Sequence, residues 1–252
     1  MKALRFLLII VCTLSLTGCA STKQADSDSS LGKAQQTLDS LYQHYSAKDS
    51  YLLRESYPFD EQHKVTYLAS EDQANTPNQF SYLWPYSGTF SAVNALFEAT
   101  HDKKYQKLLD KRVLPGLEEY FDIQRTPNAY SSYIQTAPTS DRFYDDNVWL
   151  GIDFTDIYQI TQEKRYLDKA QLIWKFIESG TDSLLGGGIY WCEQKKESKN
   201  TCSNAPGSVL ALKLFKATND SIYFRQGKEL YEWTQKNLQD STILTISVLT
   251  ER

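Results

Sequence analysis

Three stretches of this chain align without gaps, and that repetition limits what it can fold into more than any other feature. They are Phe97-Glu98-Ala99-Thr100-His101-Asp102-Lys103-Lys104-Tyr105, Tyr158-Gln159-Ile160-Thr161-Gln162-Glu163-Lys164-Arg165-Tyr166 and Phe215-Lys216-Ala217-Thr218-Asn219-Asp220-Ser221-Ile222-Tyr223. They lie about sixty residues apart, room for two helices per unit. Each reads as the end of one helix, a polar turn whose acid favours the next helix N-terminus, and a Tyr that packs back. Before the turns run small and apolar residues, Ser91 to Phe97 and Val209 to Phe215, which ask for burial on most sides. After the second turn Tyr166, Ala170, Ile173, Trp174 and Ile177 form a single apolar stripe. Buried helices alternating with half-exposed ones predict an all-α ring of helical hairpins, with the buried set inside. An open helical solenoid used as a scaffold satisfies the same period.

The two ends read differently. Lys2 and Arg5, the apolar run Phe6 to Leu16 and the small residues before Cys19 have the order of a secretory signal, residues 1–18. Leu16-Thr17-Gly18-Cys19 resembles a lipobox, so Cys19 is expected to become a lipidated N-terminus, anchored to a membrane without spanning it. Ala20 and Ser21 follow, with no Asp to retain the protein at an inner membrane, which favours the bacterial outer membrane, on either face. Residues 19–30 are polar and read as a flexible tether. Residues 31–240 form one domain, and 241–252, rich in β-branched residues and off the repeat, an irregular tail. A net charge of −4 without basic clusters argues against nucleic acid. The 17 tyrosines exceed what a helical core needs and lean toward a glycan, since protruding aromatic rings stack on sugars. Cys192 and Cys202 close a short polar loop and can form a disulfide in an oxidising compartment, although spacing alone leaves open whether they face each other. His44, His63 and His101 are scattered, far from this cysteine pair and from one another, so a metal site is not expected.

In the repeat alignment Trp84 and Pro85 correspond to Asp145 and Asp146, and these to Cys202 and Ser203. Ser81 to Gly88, Phe143 to Gly151 and Cys202 to Ser208 each precede or open an inner helix, so they are expected to gather at one mouth of the ring. Unpaired N–H groups and the positive helix ends there favour carboxylates and hydroxyls. Two acids at a helix start are also ordinary capping chemistry. The aromatic residues Tyr144 and Trp149, and the loop Gly186-Gly187-Gly188-Ile189-Tyr190-Trp191, favour catalysis instead. A retaining glycosidase needs an ionised and a protonated carboxyl roughly 5 to 5.5 Å apart, within reach of neighbours whose pKa values push apart.

Tyr144-Asp145-Asp146-Asn147-Val148-Trp149, then Gly187-Gly188-Ile189-Tyr190-Trp191, then Lys199-Asn200 with Ser203-Asn204-Ala205-Pro206 resemble, in that order, the signature blocks of glycoside hydrolase family 76, over residues 34–238. The resemblance implies an (α/α) toroid of six hairpins that cleaves α-1,6-mannosidic linkages of mannan backbones with retention and without a metal or cofactor. It assigns Asp145 as nucleophile and Asp146 as acid/base, and puts Trp84, Tyr86, Tyr144, Asn147, Trp149, Gly187, Tyr190, Trp191, Ser203 and Asn204 against α-mannan or a manno-oligosaccharide. Trp84 and Trp191 read equally well as core aromatics.

Two departures stand out. Leu150 occupies a position where many members carry a second tryptophan. About seven helices are legible where a closed six-hairpin ring needs roughly twelve, so a toroid incomplete at its C-terminus is expected. An endo-acting mannanase therefore stands beside a catalytically impaired, surface-anchored mannan-binding protein descended from one. A related toroid acting on another sugar, an epimerase or an unsaturated uronyl hydrolase, would use histidine or basic residues that this chain scarcely offers. A monomer is expected.

Overall fold

The computed structural model describes residues 28–64, 78–239 and 248–250. The expected signal, Cys19 and the tether up to residue 27 lie outside these, as do residue 240 and, of the expected tail, 241–247 and 251–252. Helix α1 spans Ser30–Tyr45, started by Ser29, whose side chain accepts the N–H of Gly32 at 3.0 Å. Three hairpins follow. The first pairs α2, Leu83–Thr100, with an interrupted outer helix α3, which runs Lys103–Leu108, passes through a π-helical turn at Leu109–Val113 and ends in Leu114–Glu118. Pro115 cannot donate to the turn below it, and the wide turn takes up that missing bond. The second hairpin is α4, Tyr144–Thr161, with α5, Lys164–Ser179; the third is α6, Thr201–Thr218, with α7, Ser221–Leu238.

The repeated turn is built the same way three times. His101, Gln162 and Asn219 close the inner helices with φ of 54°, 60° and 59°, each N–H returning to the carbonyl four residues back. The preceding Thr100, Thr161 and Thr218 bond back into their helices and accept the N–H of Asp102, Glu163 and Asp220, the caps of the next helices. A left-handed residue is the common way to end a helix, and polar side chains tolerate it here in place of glycine.

Helix α4 is buried on most sides and packs against α2, α5 and α6, whereas α5 buries one stripe, Tyr166, Ala170, Ile173, Trp174, Phe176 and Ile177. The inner set is thus α2, α4 and α6, the outer set α3, α5 and α7. Gly151 permits the close approach of α4 and α6, since a Cβ there would stand 2.5 Å from Leu210 Cδ2. Two short antiparallel pairs stitch the loops: β1, Phe121–Asp122, with β2, Ala129–Tyr130, and β3, Ser198–Asn200, with β4, Val248–Thr250. Val248–Thr250 belongs to the stretch expected to be irregular, and its pairing with β3 corrects that expectation for these three residues. Their β-branched and aliphatic composition suits a strand edge.

Candidate active site

Asp145 and Asp146 lie in the first turn of α4, whose cap residue, Phe143, offers no side-chain cap. The helix dipole stabilises negative charge there. The two carboxyls meet different surroundings. Asp146 is buried, and burial, with the charge of Asp145 second, pushes its pKa well above the usual carboxylate range. Asp145 is half-buried and its pKa is also raised by burial, but the Cys202 thiol, the Trp191 indole and backbone N–H groups of the first turn pull it back down. Trp191 Nε1 donates to Asp145 Oδ2 at 3.0 Å. Oδ1 is buried without a hydrogen-bond partner of ordinary length among the described residues. Burial thus raises both carboxyls, Asp146 the further, and of the two it is Asp145 whose charged form has donors, with Oδ2 held by the indole.

Trp191 is delivered by the loop between α5 and β3. Its N–H donates to Ser198 O at 3.0 Å, its carbonyl accepts the N–H of Tyr144 at 2.9 Å, and its ring lies against Phe143 at 5.1 Å. Behind it Lys199, wholly buried, donates to Asp182 Oδ1 at 2.7 Å and to the carbonyls of Leu184 and Gly187 at 2.8 Å each, with its ammonium 4.4 Å over the Tyr190 ring. On the other side Arg142, also wholly buried, pairs with Glu193 and donates to Pro127 O at 2.9 Å. Each buried cation is satisfied by several acceptors, the condition under which such burial is tolerated.

Of the residues expected along the sugar path, Trp84, Trp149 and Trp191 are accessible at the mouth. Trp84, in the place of α2 equivalent to Asp145, is 54% exposed, and Trp149, one helical turn beyond Asp145, is 40% exposed. The others are placed elsewhere. Tyr86 is buried, its ring 5.3 Å from that of Tyr120 and its hydroxyl donating to Val113 O at 3.0 Å. Tyr144 stacks on Phe176 at 4.6 Å under the outer helix. Tyr190 lies beneath Lys199, and Ser203 is wholly buried. Asn147 spends its amide on Tyr130 N, Tyr130 O and Phe143 O, each at 2.9 Å. Asn204 does likewise with Ile189 N at 2.6 Å and with the carbonyls of Ile189 and Asn200 at 2.8 Å. Gly187 faces away from the carboxyls into a cavity of about 530 Å³ between α5 and α7, beside Trp233. Its neighbour Gly188, φ +80°, admits no Cβ, which would stand 2.7 Å from the Trp233 ring. Six of the seven are buried in the framework around the carboxyl pair, and Gly187 lines the cavity beside Trp233.

Cys192 and Cys202 are not bonded. Cys192 is buried where Phe143 and Cys192 bridge as paired backbone, whereas Cys202 is exposed in the first turn of α6. That Cys202 lowers the pKa of Asp145 was not read from the sequence, although the repeat that aligns position 202 with 145 placed it at the same mouth.

Residues 56–247 match the sequence profile of glycosyl hydrolase family 76. Among curated protein sequences nothing matches at a significant level. A solved family 76 mannosidase from Bacteroides thetaiotaomicron is 29% identical, superposes with a TM-score of 0.74 and covers 87% of this chain and 57% of its own. A family 76 hydrolase from a bovine strain of that species is 28% identical, with a TM-score of 0.73, covering 89% and 46%. An inactive variant of an α-1,6-mannanase from Salegentibacter sp., with two consecutive aspartates changed to asparagine and α-1,6-mannotriose bound, is 23% identical, with a TM-score of 0.66, covering 88% and 56%. The chain therefore spans about half the length of the solved proteins it matches, and shares with them the α/α-toroid fold. With three-quarters of its length inside the family profile and an aspartate pair at the mouth of its inner helices, this chain belongs to glycosyl hydrolase family 76.

Proposed function

We propose that the protein is an endo-acting, retaining α-1,6-mannanase. The observation that carries this reading is the asymmetry of the pair: Asp145 is half-buried and takes the Trp191 indole N–H, while Asp146 is buried beside it and its pKa is pushed well above the usual carboxylate range, which suits it to hold the proton. The Asp145 carboxylate attacks the anomeric carbon as the bond to the leaving oxygen breaks, and Asp146 gives that oxygen its proton. Asp146, now charged, takes a proton from water, the water oxygen attacks the same carbon, and the bond to Asp145 breaks, returning both groups to their starting state. No metal or cofactor enters either step. Trp84 and Trp149 offer ring faces to an α-mannan chain lying across the mouth. The relative holding α-1,6-mannotriose supports this substrate class.

In the cell the proposal places the domain, residues 31–240, as a monomer tethered by 19–30 to lipidated Cys19 at the outer membrane, after removal of residues 1–18. The test is to incubate the protein with debranched α-1,6-mannan beside an Asp145→Ala control and to follow oligosaccharides and their anomeric form by NMR. Release of α-anomers that vanishes in the control sustains the reading. A folded protein that binds mannan and releases nothing is instead a catalytically impaired, surface-anchored mannan-binding protein.

A further inference from the structure

The cavity of about 530 Å³ into which Gly187 opens lies outside the carboxyl site and has no part in the chemistry above. It runs between α5 and α7, whose C-terminal halves stand at the level of the mouth because the outer helices run against the inner ones. Buried Trp174, Ile177, Leu230 and Trp233 form its floor, and Glu178, Glu229, Glu232, Lys236 and Asn237 its rim. The repeat marks it as more than the ordinary gap between two outer helices. Asn147 clamps Tyr130 and Asn204 clamps Ile189 by the same bonds, so the pair Phe121 and Tyr130 of one loop corresponds to Thr181 and Ile189 of the next. Phe121 and Tyr130 set two rings, 4.9 Å apart, against α5, with the Lys169 ammonium 4.1 Å over the first. In the next loop a hydroxyl and a branched aliphatic replace the rings, Gln226 replaces Lys169, and the space stays open. The walls are fixed: Lys199 grips the loop, and Trp233 Nε1 donates to Leu185 O at 2.9 Å. At Gly186 an added Cβ would meet nothing, so the loop backbone is open to an occupant.

We propose that this cavity is a second binding site for the α-mannan chain, taking neutral hexose units beyond those at the carboxyls. The proposal rests on the mannan reading given above. The volume falls within the range of sites that enclose a small ligand, and an apolar floor under a few polar groups is the usual lining of such a site. A sugar fits that division, since its C–H faces settle on the apolar floor and its hydroxyls donate to carboxylates and amide oxygens at the rim. Glu178, Glu229 and Glu232 against Lys236 turn away phosphates and acidic glycans, which leaves the neutral chain. The two sites are within reach of one molecule. Gly187 and Trp191 are four residues apart, so at most about 14 Å of backbone separates the edge of the cavity from the residue that holds Asp145. A mannan chain bound at the carboxyls therefore meets the cavity at a high local concentration, and the second contact tightens the whole.

The test is a titration of the full chain carrying Asp145→Ala, which prevents turnover, with α-1,6-mannohexaose, read from the indole N–H signals of the five tryptophans by NMR. Trp174 and Trp233 report the cavity, and Trp84, Trp149 and Trp191 the mouth. Both sets are expected to shift. Thr181→Phe, which restores the ring of the preceding repeat, is expected to silence Trp174 and Trp233 alone and to weaken the Kd by about tenfold. Glu229→Ala, on the exposed rim where no fold contact depends on it, should weaken the Kd by about threefold and keeps the test open if the larger change disturbs folding. Shifts confined to the mouth overturn the proposal and leave the mannanase reading standing. Shifts confined to Trp174 and Trp233 sustain it and count against the mouth. No shift in either set defeats both readings. An affinity at the cavity that fades as salt is raised marks its occupant as cationic and overturns the proposal as well.

Discussion

Trp191 donates its indole N–H to Asp145 Oδ2 at 3.0 Å, across 46 residues of chain. That bond is made to the charged form, so its loss raises the pKa of Asp145. Trp191→Phe keeps the ring against Phe143 and removes only the donor. A hydrogen bond to a charged group is worth about 1.5–3 kcal/mol, so the acid limb of kcat/KM should move up by about one to two pH units. Activity far above the acid limb should fall less. A profile superposable on the wild type would show that the indole does not tune the carboxylate.

Lys199 determines whether that loop exists at all. Its three donors are spent on Asp182, Leu184 O and Gly187 O, and no water replaces them in a wholly buried site. Lys199→Met leaves two carbonyls without their donor and Asp182 without its ammonium, though still with the Leu184 N–H at 3.1 Å. Because Asp182 is 35% exposed and can rehydrate, the expected loss is about 2–3 kcal/mol, below the full cost of breaking a buried pair. Denaturant unfolding measures it, with the midpoint falling and the slope unchanged.

Asn147 and Asn204 occupy equivalent places in α4 and α6, and each clamps one residue of the preceding loop by both its N–H and its carbonyl while bonding back four residues. Asn204→Ala leaves Ile189 N and O unpaired in the interior, so stability should drop by about 2–3 kcal/mol while KM for mannan changes little. A change confined to KM, with stability intact, would return Asn204 to the sugar path.

The same pair shows where the sequence could be read and where it could not. The hairpin period, the turn residues and the mouth were legible because spacing alone encodes them: Thr100, Thr161 and Thr218 recur in register and cap alike. Which way a side chain turns was not. Tyr144 precedes Asp145 by one residue, yet a helix turns about 100° per residue, and that step sends Tyr144 under Phe176. Tyr86, Tyr190 and Ser203 were drawn to the sugar path by the same nearness in sequence. For the asparagines a signal was present. Asn204 recurs in a repeat that lacks the carboxyl pair, which marks the residue as part of the hairpin and not of its chemistry.

Trp84 and Trp149 are large rings exposed at the mouth, and no core contact depends on them to the extent that buried rings require. Replacing either by Ala should weaken binding of a manno-oligosaccharide by about 0.5–1.5 kcal/mol, a few-fold to about tenfold in Kd. The melting temperature should hold. Calorimetric titration against an Asp145→Ala background, which prevents turnover, separates the two rings; unchanged affinity in both would place the glycan elsewhere.

Asp153 lies seven residues beyond Asp146 on α4, buried between α2 and α4, where Ser91 Oγ donates to its Oδ2 at 2.7 Å. Burial raises its pKa to about 7, with Ser91 and Asn94 pulling down, Asp156 pushing up and Lys213 of α6 pulling down. A carboxyl whose folded pKa stands above its unfolded value stabilises the fold in its protonated form. That contribution is complete below about pH 4 and is lost as pH rises toward 7, at up to about 1.4 kcal/mol per pH unit. Asp146 is raised in the same direction, so the wild type should lose stability across this range. Asp153→Asn carries the neutral form at every pH. Its melting temperature should match the wild type near pH 4, exceed it near pH 8, and fall less steeply in between. Parallel curves for the two proteins would mean that Asp153 is already ionised in the fold and that Lys213, which pairs with Asp156, holds its charge as well.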